Sequence, residues 1–330
     1  MSEASGELLA ARNAVKRCIA PGSIIVGCSG GPDSLALVAA AAWTARHVGV
    51  PLTVGVVDHQ LQTGSADIAA EAARACRALG ASDVEVLTVD VVAEGGPEAA
   101  ARDARRSTLL DLAQRRGSEQ ILLAHTREDQ AETVLLRLSR GAGARSLAAM
   151  RACAPPWHRP FLDLPRADVH AVTAEVCASL GITPWSDPHN SDPRYGRVRV
   201  RRWLGELSAE LGPGVVQGLS RSAALLADDA DVLDAWTEQE AARIVEDEGG
   251  VVSAELAALA ELPRAIRTRV LRTMHQQVSG DSELTFDHVR TLDTYVSDWH
   301  GQGDCDLPGG VTARVDYGRL VLLRTATHQE

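Results

Sequence analysis

The stretch Val26–Val38, VGCSGGPDSLALV, decides how this chain is read. It runs from the end of a short apolar strand through a glycine-bearing turn into a helix, the setting in which phosphate-binding loops occur. The lysine of a GxxxxGK(S/T) loop is missing, and Asp33 stands inside the turn instead. Consecutive backbone N–H groups at a helix N-terminus form an anion nest without a lysine. Gly30 and Gly31 permit the turn and a close backbone approach, Pro32 opens the helix, and Ser29 and Ser34 add hydroxyl donors. An aspartate this close to phosphate repels it unless a divalent cation intervenes, so Asp33 reads as a magnesium ligand. An ordinary turn with Asp33 or Ser34 capping a helix would use the same residue types.

Around this loop the first half of the chain alternates strand and helix patterns. Apolar runs at 24–28, 52–57, 84–89 and 121–124 predict buried parallel strands, and helical periodicity follows at about 34–48, 65–79, 97–116 and 129–139. Such alternation implies a doubly wound, mostly parallel α/β sheet, with ligands bound beyond the carboxyl ends of the strands. From about 150 the texture changes: a proline-rich connection, a helix over roughly 166–180, a long polar loop and a basic helix. The sequence LGPGVV at 211–216 predicts a domain boundary, giving domains 1–212 and 213–330. The second is expected to be mainly helical, with an acidic helix at about 218–248 and a terminal β-hairpin.

The net charge of −11 is unevenly placed: Leu225–Leu262 holds 11 acids against Arg243, a local net of −10, so the remainder is close to neutral with dense arginine patches. Overall acidity therefore does not exclude a nucleic-acid partner, because phosphate contacts depend on local fields. The six cysteines, at 18, 28, 76, 153, 177 and 305, include no CxxC pair, which argues against a zinc site, a disulfide framework or a paired-cysteine sulfur carrier. No apolar run approaches membrane-spanning length, and the N-terminus lacks the pattern of a signal peptide, so a reducing cytoplasm is the expected location.

The six-residue SGGPDS after a strand resembles the PP-loop of the N-type ATP pyrophosphatases, which cleave ATP between its α- and β-phosphates and adenylate a substrate oxygen. Four further segments are similar to the tRNA(Ile)-lysidine synthetases within that superfamily. VVDHQL at 56–61 resembles a D-H-x-L-R-like strand end, with Asp58 and His59 beside ATP and Gln62 where arginine is common. EAAARDARR at 98–106 resembles E-x-x-A-R-x-x-R-Y: Arg102 and Arg105 match, three apart on one helical face, and Arg106 replaces the tyrosine. AHTREDQAET at 124–133 resembles A-H-x-x-D-D-Q-x-E-T, carrying His125, Asp129, Glu132 and Thr133, with Glu128 for the first aspartate. PWSDPHNSDPRYGRVRVRR at 184–202 supplies Trp185, Asp187, Asn190, Asp192, Tyr195, Arg197 and Arg201, while Val198 replaces an asparagine.

The resemblance covers roughly 22–205 and implies a ligase with ATP and Mg2+ as cofactors and free L-lysine and tRNA-Ile (CAU) as partners. It implies catalytic roles for Asp33, Arg102, Arg105, Asp129, Glu132 and Arg201, and lysine binding by His125, Asp129, Glu132 and Thr133. Trp185, Arg194, Tyr195, Arg197, Arg199, Arg201 and Arg202 would meet tRNA, a basic patch interleaved with aromatics that suits phosphate contact and base stacking. A helix at 262–272 carrying Arg264, Arg267, Arg269 and Arg272 is a second candidate phosphate-contacting face. A tRNA cytidine thiolase, an amide-forming ATP pyrophosphatase and a non-catalytic RNA- or nucleotide-binding module stay open as alternatives, as does a homodimer.

Overall fold

The computed structural model describes residues 4–58, 60, 64–89, 97–188, 192, 194–280 and 282–325, with backbone alone at 97–101. The chain forms two compact units, Met1–Ala227 and Asp228–Glu330. The expected boundary at 212/213 precedes this division, which falls within the long helix Val215–Ile244.

The first unit opens with α1 (Gly6–Cys18), β1 (Ile24–Cys28), α2 (Pro32–Val48), β2 (Leu52–Asp58), α3 (Ser65–Ala78), β3 (Asp83–Thr88) and α4 (Pro97–Arg116). It continues through β4 (Gln120–Leu122), α5 (Arg127–Leu138), α6 (Ala144–Leu147), β5 (Cys153–Ala154), β6 (Trp157–His158), α7 (Arg166–Ala178), α8 (Gly196–Leu211) and the start of α9 (Val215–Ile244). The sheet order is β3-β2-β1-β4-β6-β5, parallel except for the β5–β6 edge. The doubly wound, mostly parallel sheet is as the alternation implies. The two short strands β5 and β6 lie in the proline-rich connection, where two-residue strands are too brief to leave a periodic signature.

Strand order reverses between β1 and β4, so the loops that follow these neighbouring strands diverge and open a crevice. Alternation along β1 sends Ile24 and Val26 into the core shared with α1, α2 and α7, and Ile25 into the opposite core with Leu109 and Leu112 of α4. The approach of α4 is set by two strand glycines. A Cβ on Gly27 would lie 2.9 Å from Leu109 Cδ1, and one on Gly55 2.9 Å from both Leu109 Cδ2 and Leu112 Cδ2. Any side chain there would push away the helix that carries Arg102 and Arg105.

The second unit holds the rest of α9, then β7 (Val245–Glu248), β8 (Val251–Glu255), α10 (Leu256–Glu261), α11 (Arg264–Ser279) and α12 (Phe286–Ser297). It ends with β9 (Cys305–Leu307), β10 (Val311–Asp316) and β11 (Arg319–Arg324). The terminal hairpin β10–β11 is present, and it belongs to a larger five-stranded antiparallel sheet of order β7-β8-β11-β10-β9. The acidic helix begins and ends earlier than expected, and it ends early because Val245–Glu248 pair with Val251–Ala254 across a Gly249–Gly250 turn. Ile266, Val270, Leu271 and Met274 of α11 pack into the core of this unit.

The arginines of α11 do not form one open phosphate-contacting face. Arg264 and Arg267 converge on Asp293 at 2.9 and 2.7 Å, Arg269 meets Asp234 at 3.2 Å, and Arg272 donates to the Leu284 carbonyl at 2.7 Å. The charges of Arg264, Arg267 and Arg269 are matched by acids that lie far away in sequence, and Arg272 is held by a backbone carbonyl.

Replacing Gly55 by Val is expected to destabilise the protein by about 1–3 kcal/mol through overpacking against Leu109 and Leu112. Thermal denaturation checks this, and an unchanged melting temperature would contradict the close approach of α4.

Candidate active site

The glycine-bearing turn lies at the carboxyl end of β1, with Gly31 as N-cap and Pro32 at the first turn of α2. Gly30 has φ +78°, and a Cβ there would sit 3.0 Å from the Ala72 Cβ, so both conformation and space call for glycine. The turn is laced internally: the Ser34 hydroxyl donates to the Gly31 carbonyl at 2.9 Å and receives the Ser29 N–H at 3.3 Å, while the Gly30 N–H reaches Cys28 Sγ at 3.4 Å. From outside, the Trp185 N–H donates to the Gly30 carbonyl at 2.9 Å. Trp185, expected on the tRNA side, is thus tied by its backbone to the turn.

Asp33, in the first turn of α2, has Oδ1 buried without a hydrogen bond of good geometry, although His170 Nε2 of α7 lies 3.1 Å away. Burial pushes its carboxyl above the ordinary range, against the opposing charges of His170 and Arg166. The Thr173 hydroxyl donates to the Pro32 carbonyl at 2.7 Å and fixes α7 beside the turn.

Beyond β4, Thr126 caps α5 in a reciprocal box with Asp129, whose Oδ2 accepts the Thr126 N–H at 2.7 Å and the Thr126 hydroxyl at 3.0 Å. The other oxygen, Oδ1, receives Arg166 Nη2 at 2.8 Å. Burial opposes its ionisation, yet Arg166, His125 and the Thr126 N–H together hold Asp129 below its ordinary pKa. Glu132 is 1% exposed and accepts from Arg166 at 3.3 Å and from Arg201 Nε at 2.8 Å. Glu128 caps α7 by accepting the Arg166 N–H at 2.8 Å. The Thr133 hydroxyl donates to the Asp129 carbonyl one turn back, at 2.7 Å.

Glu128, Glu132, Arg166 and Arg201 line a cavity of about 190 Å³ whose other walls are Leu204, Gly205, Ser208 and Val216. Around it and Asp33, four carboxylates (33, 128, 129 and 132) face two guanidiniums (166 and 201), leaving the acidic half net negative. The cavity lining itself is balanced, Glu128 and Glu132 against Arg166 and Arg201, and the negative excess comes from Asp33 and Asp129 beside it.

A basic half adjoins it. Burial, reinforced by the charges of Arg197, Arg106, Arg105 and Arg159, pushes the Arg102 guanidinium down to about 10. Arg105 is lowered by burial and by Arg197, with Asp187 opposing. Arg106 lies over the Trp157 ring at 4.5 Å, so the position where a tyrosine was expected makes an aromatic contact by a different route. His125, whose Nδ1 is buried without a hydrogen bond, is pushed down to about 3 by burial and by Arg159, Arg102 and Arg197, against Asp129. Its ring is neutral at pH 7 and sits among arginines as well as beside Asp129.

The expected tRNA-facing arginines do not share a face. Arg201 turns inward to Glu132, and Arg197 bears on Arg102 and Arg105. Arg199 donates to the Arg194 carbonyl at 2.9 Å, and the outer pair, Arg194 and Arg202, meets Asp192 and Glu206. Tyr195 is the N-cap of α8. Asp58 is buried at the end of β2, where its Oδ1 accepts the Gln60 N–H at 3.0 Å. His59 and Asn190 lie outside the described residues.

Three site residues escaped the sequence reading: Arg159, Arg166 and His170. Arg166 carried the one available signal, a basic residue at the first position of a helix, where an acid is the electrostatic preference.

The turn, the strand order and the clustered arginines define a PP-loop protein, and residues 8–207 match the family model described as PP-loop domain. Residues 255–321 match a second model, described as TilS substrate binding domain. The chain is 47% identical over 315 residues to the tRNA(Ile)-lysidine synthase of Thermobifida fusca, covering 95% of each chain. It is 44% identical over 304 residues to that of Streptomyces coelicolor, covering 91% of this chain and 84% of the relative. The chain belongs to the tRNA(Ile)-lysidine synthase family. Among solved structures it is similar to the U34-tRNA thiolase NcsA from Methanococcus maripaludis, at 17% identity and TM-score 0.55, covering 67% of this chain and 80% of that one. That likeness shows the shared fold.

Replacing Arg166 by Met leaves the buried Asp129 and Glu132 short of a partner and should destabilise the protein by about 3–5 kcal/mol. Urea unfolding that shifts by less than about 1 kcal/mol would contradict this bridge.

A pH dependence follows from His125. Its folded pKa of about 3 lies below the unfolded value near 6.5, so only the unfolded chain takes up the proton between them. Stability should therefore fall as pH drops from about 6.5 towards 3, and His125→Gln should flatten that slope. Urea midpoints at pH 7 and pH 5 for both proteins test this, and parallel slopes would refute it.

Proposed function

We propose that the protein joins free L-lysine to the 2-position of the wobble cytidine of tRNA-Ile (CAU), giving lysidine, with release of pyrophosphate and AMP. The observation that carries this reading is the placement, at one strand-order reversal, of a PP-loop beside a carboxylate-lined cavity with apolar walls. The names of the relatives agree with it.

In the first step the cytidine 2-oxygen attacks the α-phosphorus of ATP and pyrophosphate leaves. Ser29, Gly30, Gly31 and Ser34 would cradle the phosphates at the α2 N-terminus, and Arg102 and Arg105 would stabilise the developing charge. Asp58 and His59 would border the nucleoside. The unsatisfied, buried Asp33 Oδ1 fits a magnesium ion that takes its other ligands from phosphates and water. Among the described residues no group of three or more His, Cys, Asp and Glu side chains is placed to hold a metal without such help. When bound, the ion supplies neutralisation of phosphate charge.

In the second step the lysine ε-amine attacks the adenylated carbon and AMP leaves. An amine of pKa about 10.4 arrives as ammonium, which Glu132 and Glu128 would receive while its stem lies along Leu204 and Val216; one of these carboxylates would take a proton before the free amine attacks. Asp129, occupied by Thr126 and Arg166, would fix the cavity's shape. Arg201 holds Glu132 from the other side. Arg194, Arg199 and Arg202 remain the outward cations for RNA, and the second unit, which contains the substrate-binding match, would bind tRNA. No helix among the described residues is long and apolar enough to cross a membrane, and a cytoplasmic location follows from the substrates.

Purified protein with magnesium-ATP, radiolabelled lysine and a tRNA-Ile (CAU) transcript should yield RNA-bound label that survives alkaline deacylation, together with AMP. Asp33→Asn should abolish turnover while tRNA binding persists. Label transfer at the wild-type rate in that variant, or none with the wild type, would sink the reading.

A further inference from the structure

Two buried nitrogens at the carboxyl end of the sheet have no hydrogen-bond partner among the described residues: Nε of Arg159 and Nδ1 of His125. They are neighbours by topology. Strands β4 and β6 run parallel with Leu122 opposite His158, and the Leu123 N–H donates to the His158 carbonyl at 2.9 Å. Arg159 therefore leaves one strand where the chain leading to His125 leaves the next, on the side of the PP-loop.

Arg159 is 8% exposed and held from behind: Nη1 donates to the Arg151 carbonyl at 2.8 Å, and its backbone N–H to the Ala152 carbonyl at 2.8 Å. Burying a guanidinium N–H without an acceptor is unfavourable, and native structures rarely leave one so. The acceptor comes from water or from a bound group. Its charge is indicated by the surroundings, because Arg102 and Arg106 bear on the same place as Arg159. The low pKa of His125 adds a neutral ring, which in its Nδ1-protonated tautomer donates a hydrogen bond without adding charge. Clustered guanidiniums and neutral N–H donors suit an anion with several oxygens.

We propose that Arg159 and His125, with Arg102, complete the seat of the pyrophosphate group of ATP that the PP-loop amides begin. This deepens the reading above and rests on it for the source of the anion. As the cytidine oxygen bonds to the α-phosphorus, the bond to the bridging oxygen breaks and its electron pair departs on pyrophosphate. The Arg159 Nε–H and His125 Nδ1–H meet that added charge, and no proton has to be supplied. A phosphate of the RNA backbone offers the same chemistry, so the test separates the two sources.

Inorganic pyrophosphate with magnesium, titrated calorimetrically into the full-length protein without tRNA, is the direct probe. Arg159→Met keeps the apolar stem and removes the donors. It should weaken pyrophosphate binding about 10–100-fold and raise KM for ATP, with KM for lysine and the tRNA Kd within about twofold. Arg159→Lys should restore part of the loss. Should Arg159→Met fail to fold, His125→Ala must weaken pyrophosphate at least about fivefold for the proposal to stand. Unchanged pyrophosphate affinity with a lowered melting temperature would make Arg159 purely structural and overturn it. Weakened tRNA binding with a shallower salt dependence, and unchanged pyrophosphate, would assign the seat to RNA and also overturn it. The reading beneath is tested apart: a wild type that binds pyrophosphate but forms no lysidine keeps the seat and loses the reaction.

Discussion

Arg166 ties α7 to α5 through charge. Its guanidinium, at the first position of α7, bridges Asp129 and Glu132 of α5, while its own N–H is capped by Glu128 of the same helix. Burial alone would depress an arginine, but Asp129, Glu132, Asp33 and Glu128 more than reverse that and raise it. A cation in this place is what allows so many carboxylates to gather beside a phosphate-binding turn. Without it, desolvation and mutual repulsion would drive protons onto the acids, and an acid already protonated cannot hold an ammonium. The acidic half depends on one residue that would carry no substrate itself.

Separation of charge across the crevice is the second organising fact. On one side carboxylates outnumber guanidiniums; on the other Arg102, Arg105, Arg106, Arg159 and Arg197 gather with Asp187 among them. The border is formed by Asp129 and the neutral His125, adjacent through the start of α5. A protonated imidazole there would extend the basic half into the acidic one. Under the proposed reaction, keeping it neutral would let phosphate and ammonium chemistry lie side by side, each in a field of the required sign.

The sheet and its switch point were legible because their signals are local and repetitive: apolar runs of strand length, helical spacing between them, and SGGPDS closing a strand. The acidic and arginine motifs were legible as residue types. Their partners were not. Nothing local in DLPRADVH marks Arg166 or His170 as reaching back to α5 and α2, since Arg166 meets Glu132 across 34 residues and His170 lies beside Asp33 of the distant α2, contacts that exist only once α7 packs on α2. The same limit applies to the run Arg194–Arg202, which reads as one basic patch in sequence. A helix turns successive residues through about 100°, so Arg201 faces Glu132 while Arg202 faces outward, and Arg194 stands before the helix begins. β7 was hidden for a different reason: VEDE continues a helical pattern, and its pairing with β8 overrides that propensity.

Like charges gathered in both halves make the free site work against its own fold, and the fold must hold them in place. For the arginines this falls to α4, whose Leu109 and Leu112 close over Gly27 and Gly55. Side chains on those strands would lift the helix and let its guanidiniums move apart into water, where they are well solvated but aim at nothing. Close packing on bare backbone keeps Arg102 partly buried among like charges, and that desolvation is the chief cause of its depression. A depressed guanidinium gains more from an arriving anion than a solvated one does, because little water has to be displaced when the contact forms. Two missing side chains in the sheet thus set the electrostatic strength of a site that lies beyond its edge.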